Sequence, residues 1–211
     1  MRERFAALRK GLKDALSAAG DLIALNVLYI LCCIPVLTVG AAEAACYSGL
    51  IRMMRKKNEG LPFRPFFRDF GAVFKQAFPA WLLQLLCFAI LAGDIWFATV
   101  YSEPDNTFFL IFAIVLGAVI LLAGMWLYPL MARFRNTMGG HLKNAFLMAF
   151  ARFPATLLAL LVRAVVIAVP FLFSDAFAYF GWFWLLFGFS LPMYAVVKLF
   201  HKQLHLDPKA E

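Results

Sequence analysis

The sequence predicts an all-α, polytopic membrane bundle of about six transmembrane helices, arranged as three hairpins with both termini in the cytoplasm. Hydrophobic residues make up 64% of the 211 residues and charged residues 15%, with a mean hydropathy of +0.81. This leaves too little polar surface for a soluble protein. All 20 Lys and Arg residues except Arg163 lie in four stretches, 2–13, 52–75, 133–152 and 198–209. Because short basic loops stay on the cytoplasmic side, four basic stretches imply three excursions through the membrane.

The first hairpin is predicted over residues 22–57. It follows a basic amphipathic segment, 1–20, which is suited to the cytoplasmic membrane surface. The apolar run 22–39 is long enough to span a bilayer, and Pro35 is expected to bend or end its helix. Residues 41–54 are rich in Ala and Gly, which lets helices approach closely, so we interpret them as the second span.

The second hairpin, 78–133, is predicted to follow another interfacial helix over 61–77, in which Phe residues recur at helical spacing between basic residues. Its first span begins at Pro79, a residue type that suits a first helical turn. The loop 102–107 contains acidic but no basic residues and is therefore placed outside. The return span is predicted over 108–130.

The third hairpin, 154–199, is predicted to consist of spans 154–173 and 182–199. A third interfacial helix over 136–152 precedes it, and a cytoplasmic tail over 200–211 follows it. The chain is thus expected to form a single integral membrane domain. An alternative interpretation treats the N-terminal region as a signal peptide, with an AxA-like cleavage site close to Glu43.

A small set of polar side chains lies inside the predicted spans. Arg163 lies near the midpoint of the fifth span, where a guanidinium costs about 2.5 to 3.5 kcal/mol, so it is expected to have a partner. Asp94 and Glu43 are the candidates. Two interpretations stay open, a structural ion pair or an anchor for an anion or substrate. Asn26 is expected either to cross-link helices or to bind an unwound backbone.

No motif in the sequence indicates catalysis. There is no Gly-rich phosphate loop and no GxSxG, and no set of carboxylates or Cys and His converges on one segment. We therefore expect no enzyme activity, no cofactor and no metal site. His201 and His205 are one helical turn apart, but they are expected to lie in a solvated tail. The basic residues flank spans, so their expected counter-charges are anionic lipid headgroups and not nucleic acid.

Four segments of the sequence carry a family resemblance. They are LNVLY at 25–29, IPVLTVGAA at 34–42, the Phe-rich basic stretch 66–78, and YPLMARFRNT at 128–137 with KNA at 143–145. These segments resemble the first hairpin, the basic segment and the central motif of the YesL-like bacterial membrane proteins, a family of unknown function. Glu43 departs from the pattern, in which a small or hydroxylated residue is expected.

The resemblance implies a multi-pass protein of the bacterial cytoplasmic membrane, often encoded beside carbohydrate ABC transporters and glycan-degrading enzymes. It carries over no catalytic or ligand residues. The expected function is a non-enzymatic accessory or assembly factor for carbohydrate uptake or utilisation, with ABC transporter subunits or further copies of the chain as partners. The alternative is a small transporter or channel that uses Arg163, Asp94 and Glu43. A membrane enzyme acting on a lipid is the third class.

Overall fold

The computed structural model describes residues 2–55, 62–100, 107–172, 174–204 and 206. These residues form eight α-helices and contain no strand, which confirms the all-α class. The helices are α1 Arg2–Cys33, α2 Val39–Met54, α3 Phe63–Val100, α4 Thr107–Arg133, α5 Met138–Ala151, α6 Phe153–Leu172, α7 Ser174–Phe187 and α8 Ser190–Leu199. A short 3-10 turn, Val36–Thr38, precedes α2. The predicted outer loop 102–107 lies almost entirely outside the described residues.

Three of these helices, α1, α3 and α4, are long and apolar enough to cross a membrane. The number rises to five if the bent pairs α5–α6 and α7–α8 each count as one span. The 16 residues of α2 rise about 24 Å, short of the roughly 30 Å of a hydrocarbon core. Membrane character is therefore supported, while the predicted count of six spans and the orientation of the termini stay predictions.

Large apolar side chains on the outer faces of α3 and α4 are exposed. Examples are Trp96 (64% exposed), Phe108 (72%) and Phe112 (58%). A soluble monomer rarely exposes apolar surface so extensively, whereas a lipid-facing helix requires it. The exposed apolar faces thus agree with the membrane character of these helices.

Two predicted helix boundaries differ from the structure. Helix α1, Arg2–Cys33, joins the described part of the predicted interfacial segment to most of the first span without a break. Helix α3, Phe63–Val100, likewise runs from the second predicted interfacial segment through Pro79 into the following span. Gly20 does not interrupt α1, because an internal glycine costs only about 1 kcal/mol relative to alanine. Pro35, in contrast, lies two residues after Cys33, the last residue of α1, which confirms its predicted effect.

The core of the bundle is α2, which contacts α1, α3, α4 and α8. Every residue from Gly40 to Ile51 is buried, and the four alanines among them are 0% exposed. Small side chains bring the neighbouring backbones close, which is the main source of helix association where both helix faces and lipid are apolar. The prediction that this small-residue segment packs closely inside a bundle is confirmed.

Gly40 marks the closest approach of α2 to α3. A Cβ atom there would lie 2.6 Å from Trp81 Cβ and 2.8 Å from the Ala77 carbonyl oxygen. We expect Gly40→Ala to lower the free energy of unfolding by about 1 to 3 kcal/mol, because the two backbones must separate. The matched control is Gly71→Ala in α3, where no atom lies within 4 Å of the added Cβ. Detergent-solubilised protein unfolded by dodecyl sulfate titration measures both, and equal stabilities would contradict the close approach.

A sharp bend of 99° separates α5 from α6. The Ala149 and Arg152 carbonyl oxygens (3.2 and 3.0 Å) share the single hydroxyl hydrogen of the buried Thr156, whose oxygen accepts from Trp126 Nε1 at 2.8 Å. Thr156 thus ties the bend to α4. The predicted interfacial segment 136–152 therefore corresponds to a separate helix at nearly a right angle to α6.

The segment after α8 is packed against the bundle, unlike the solvated tail expected from sequence. Phe200 and Leu204 are 0% exposed, and Leu206 is also buried. The Phe200 ring stacks on Trp126 with centroids 3.6 Å apart. His201 is partly buried, and His205 lies outside the described residues. Apolar contact with α4 explains the packing, since three of these residues are large hydrophobes.

Candidate functional site

An ion pair between α2 and α6 is the central polar feature of the bundle. Arg163 Nη2 lies 2.5 Å from Glu43 Oε1, and their side chains are only 17% and 8% exposed. Tyr47, one turn after Glu43 on α2, places its ring 5.8 Å from the Arg163 guanidinium carbon. The cation therefore has a carboxylate and an aromatic face as partners. Of the two partners predicted for Arg163, the structure selects Glu43.

The ion pair lies on the wall of a cavity of about 540 Å³, which we call the ion-pair cavity. Helices α1, α2, α3, α4, α6 and α8 and the α7–α8 junction contribute to its lining. Its walls are mainly apolar and aromatic, with polar atoms at a few positions. The lining side chains used below are Tyr29, Glu43, Trp81, Gln84, Phe88, Tyr128, Arg163 and Phe189. A cavity of this size and composition is typical of a small-molecule site.

A second polar pair faces the same cavity. Tyr128 on α4 donates its hydroxyl hydrogen to Gln84 Oε1 on α3 at 2.9 Å. Gly124 gives this amide its space, since a Cβ at that position would lie 2.7 Å from Gln84 Nε2. Sequence reasoning missed Gln84 and Tyr128 as site residues. The available signal was Gln84, a lone amide inside an apolar span.

Asn26 on α1 is fully buried and binds the junction between α7 and α8. Its Oδ1 accepts from the Phe189 and Ser190 backbone N–H groups (2.9 and 2.8 Å), and its Nδ2 donates to the Leu185 carbonyl oxygen at 2.6 Å. The helices meet there at 47°. Asn26 therefore has both predicted roles. It cross-links α1 to α7 and α8, and it does so by binding backbone groups where the helix is interrupted.

Comparison with known proteins finds a family match over about a third of the chain, from α1 to most of α3. Residues 22–95 match the model of a family described as a protein of unknown function, DUF624. This matched segment covers 74 of the chain's 211 residues. It contains Asn26, Glu43, Gln84 and Asp94, whereas Arg163 lies beyond it. The chain matches no curated protein and no solved structure.

Asp94, near the end of the matched segment 22–95, does not join the Glu43–Arg163 pair. It is exposed and lines a different cavity of about 520 Å³ between α3 and α4, the Asp94 cavity. The Asp94 and ion-pair cavities share no lining residue. The structure thus pairs Arg163 with Glu43 and places Asn26 at the α7–α8 junction, where it binds Phe189. Asp94, the fourth predicted polar residue, lies apart from this pair in a different cavity.

The ion-pair cavity offers hydrogen-bond donors and acceptors but no net charge. Arg163 presents N–H donors, Glu43 presents carboxylate acceptors, and the Gln84 amide supplies both. Since Glu43 neutralises Arg163, the arrangement favours a neutral polar ligand over an anion. Within the described part of the chain, no three His, Cys, Asp or Glu side chains are grouped so that they could hold a metal ion.

Proposed function

We propose that this protein is a non-enzymatic membrane protein that binds a small neutral polar solute, such as a sugar, as part of an uptake system. The observation that carries the proposal is the buried Glu43–Arg163 pair on the wall of the ion-pair cavity. Ionisable groups inside a membrane are costly and usually serve function. Here they face a space large enough for a ligand.

The side chains around the pair support a polyhydroxyl ligand in particular. Trp81, Phe88 and Tyr29 contribute flat apolar surfaces, and Gln84 contributes an amide beside the ion pair. Hydroxyl groups both donate and accept hydrogen bonds, so such a ligand satisfies a carboxylate and a guanidinium together. An anion would compete with Glu43 for Arg163, and a cation would compete with Arg163 for Glu43.

The resemblance to the YesL-like proteins supports the same solute class and a cellular setting. We propose a multi-pass protein of the bacterial cytoplasmic membrane, with six spans, both termini inside and anionic lipid headgroups around its basic stretches. Its proposed role is that of an accessory or assembly factor in carbohydrate uptake or utilisation. Carbohydrate ABC transporter subunits and further copies of the chain are the proposed partners.

A second candidate is a small transporter that moves the solute itself. Three cavities follow one another along the α3–α4 seam: a basic groove beside residues 72–76 of α3, then the ion-pair cavity, then the Asp94 cavity. From Lys75 to Asp94, α3 rises about 28 Å, close to the thickness of a hydrocarbon core. Cavities in succession over that distance favour a route across the membrane.

The test of the proposal is to block the ion-pair cavity while the ion pair stays intact. Gly124→Leu extends a side chain toward the flexible end of Gln84 and into the cavity. We expect it to weaken binding of radiolabelled mono- or disaccharides at least about tenfold, a loss of about 1.4 kcal/mol. Scintillation proximity on purified protein measures the binding. Gly93→Leu is the matched control, because its Cβ meets nothing within 4 Å.

Flux separates the two candidate roles. Proteoliposomes that accumulate a bound sugar, and lose this activity with Gly124→Leu, would identify a transporter. Sugar binding without flux, together with co-purification of transporter subunits in mild detergent, would identify the accessory role. If wild-type protein binds none of the sugars, or if Gly124→Leu binds as wild type does, the proposed solute site is wrong.

A further inference from the structure

The basic groove has a charge composition that the proposed solute site does not explain. It has a volume of about 700 Å³ and lies between the C-terminal ends of α2 and α4 and the first half of α3. Five basic side chains and one acidic side chain line it. They are Arg52, Arg55, Lys75, Arg133, Arg135 and Asp69. The groove is therefore strongly positive.

Part of this charge has a structural explanation. Arg52 Nη1 forms an ion pair with Asp69 Oδ2, and Arg68 Nε lies 3.4 Å from Asp69 Oδ1. Arg133 Nε donates to the Leu204 carbonyl oxygen at 3.0 Å. Arg52 and Arg133 also lie in the last turns of α2 and α4, where a cation interacts favourably with the helix dipole. The groove's one carboxylate is thus already engaged by two arginines.

Lys75 and Arg135 are different, because neither has such a structural partner among the described residues and both line the groove, Lys75 from α3 and Arg135 from the link between α4 and α5. Gln76 Nε2 donates to the Asn136 carbonyl oxygen at 2.9 Å. This bond joins α3 to the α4–α5 link at the residues immediately after Lys75 and Arg135. Both cations are exposed in the groove, and no carboxylate in the described ranges pairs with either of them. Like charges held together in this way favour binding of an anion between them.

The position of the groove relative to the apolar spans indicates that the anion binds at the membrane surface. Lys75 lies one turn before Pro79, and Arg135 lies just after the end of α4. In the proposed six-span topology, on which this step rests, both lie at the level where headgroups meet water, on the side to which the basic stretches are assigned. Ile51, Val73 and Met131 add an apolar strip to the lining. A ligand with an anionic group next to an apolar part matches this surface.

We propose that the basic groove binds a phosphate-bearing anion at the membrane surface, with Lys75 and Arg135 as its principal cationic contacts. The phosphate belongs either to an anionic phospholipid headgroup or to a water-soluble phosphorylated compound. The groove is separate from the ion-pair cavity, with which it shares no lining residue. Binding of the phosphate group can therefore succeed or fail independently of binding of the neutral solute.

The experiment compares a variant that lacks two positive charges of the groove with a control variant that lacks two positive charges outside it. Isothermal titration of the detergent-solubilised full chain with dioctanoyl phosphatidylglycerol measures the dissociation constant. We expect Lys75→Gln/Arg135→Gln to bind about 30-fold more weakly than wild type, from the usual contribution of each basic residue near an anionic headgroup. Lys10→Gln/Lys13→Gln removes the same charge from exposed positions on α1 and is expected to bind as wild type does.

Two further titrations identify the source of the phosphate. If glycerol 3-phosphate displaces the lipid, the groove recognises a soluble phosphate compound. If only the lipid binds, it recognises a headgroup. Dioctanoyl phosphatidylcholine, which has no net charge, is expected to bind more weakly than phosphatidylglycerol. Equal binding of these two lipids, or unchanged binding of phosphatidylglycerol by Lys75→Gln/Arg135→Gln, would overturn the proposal.

Discussion

Glu43→Leu is expected to destabilise the protein by about 3 to 5 kcal/mol, because it leaves the Arg163 guanidinium buried without its carboxylate partner. Removing one member of a buried pair costs far more than the pair contributes, since the remaining charge keeps its full desolvation penalty. Dodecyl sulfate titration of the purified protein in mixed micelles measures the free energy of unfolding. The Tyr47 ring gives Arg163 a weaker attraction of about 1 kcal/mol and cannot replace the carboxylate.

The double variant Glu43→Leu/Arg163→Leu tests whether the unpaired charge causes this loss of stability. Because apolar side chains replace both charges, we expect it to recover most of the stability lost in Glu43→Leu. Asp94→Leu is the matched control, since it removes a carboxylate from an apolar helix that lies elsewhere in the bundle. It is expected to change stability by less than about 0.5 kcal/mol. A double variant no more stable than Glu43→Leu would contradict the pairing as the source of the effect.

The same double variant separates structural and functional roles of the pair. If Glu43 and Arg163 only hold α2 against α6, a stable double variant still binds the solute. If they contact the ligand, binding is lost even though the fold is retained. The second result is expected, because both side chains line the ion-pair cavity.

Local chemistry in the sequence predicts much of the bundle. Basic flanks and apolar runs predict membrane helices, Pro35 predicts the end of α1, and the alanines and glycines of 41–54 predict a closely packed helix. Each of these features acts within a few residues of its own position. The structure confirms the end of α1 before Pro35 and the close packing of α2, although α2 is shorter than a hydrocarbon core is thick.

The choice of partner for Arg163 could not be predicted in the same way. Both Asp94 and Glu43 are carboxylates inside apolar segments, and the cost of an unpaired guanidinium requires only that one of them be near. Which one is near depends on how α6 lies against α2 and α3. That arrangement results from packing between segments about 70 to 120 residues apart, for which a single sequence contains no period or spacing signal.

The interruption between α7 and α8 was missed for a related reason. Residues 182–199 are apolar except for a few positions such as Ser190 and Lys198 and are predicted to form one span, yet the helix is interrupted beside Phe189. Gly188 and Pro192 were available signals, because glycine weakens a helix and proline suits the first turn of a new one. The residue that stabilises the interruption, Asn26, lies 163 positions before Phe189.

Asn26→Leu is expected to destabilise the protein by about 2 to 4 kcal/mol, because three backbone groups at the α7–α8 junction, of which the Ser190 N–H is buried, lose their partner together. Single interhelical hydrogen bonds in membranes contribute only about 0.6 kcal/mol on average, since broken partners find others. Here the Phe189 and Ser190 N–H groups lie outside the regular hydrogen bonding of α7, so fewer alternatives exist. Asn144→Leu on the exposed face of α5 is the matched control and is expected to stay within about 0.5 kcal/mol of wild type.

Hydrogen exchange gives this expectation a local readout. In the wild type, the Phe189 and Ser190 amides are protected by Asn26 Oδ1, so Asn26→Leu should accelerate exchange in peptides covering 187–193. Peptides from the core of α2, which do not depend on Asn26 for their hydrogen bonds, should keep their protection. The expected result is faster exchange that is confined to the junction. Because Phe189 lies on the wall of the ion-pair cavity, a loosened junction is also expected to alter solute binding. Uniformly faster exchange across α2 and the junction would instead mean that Asn26 supports the whole bundle and not this interruption.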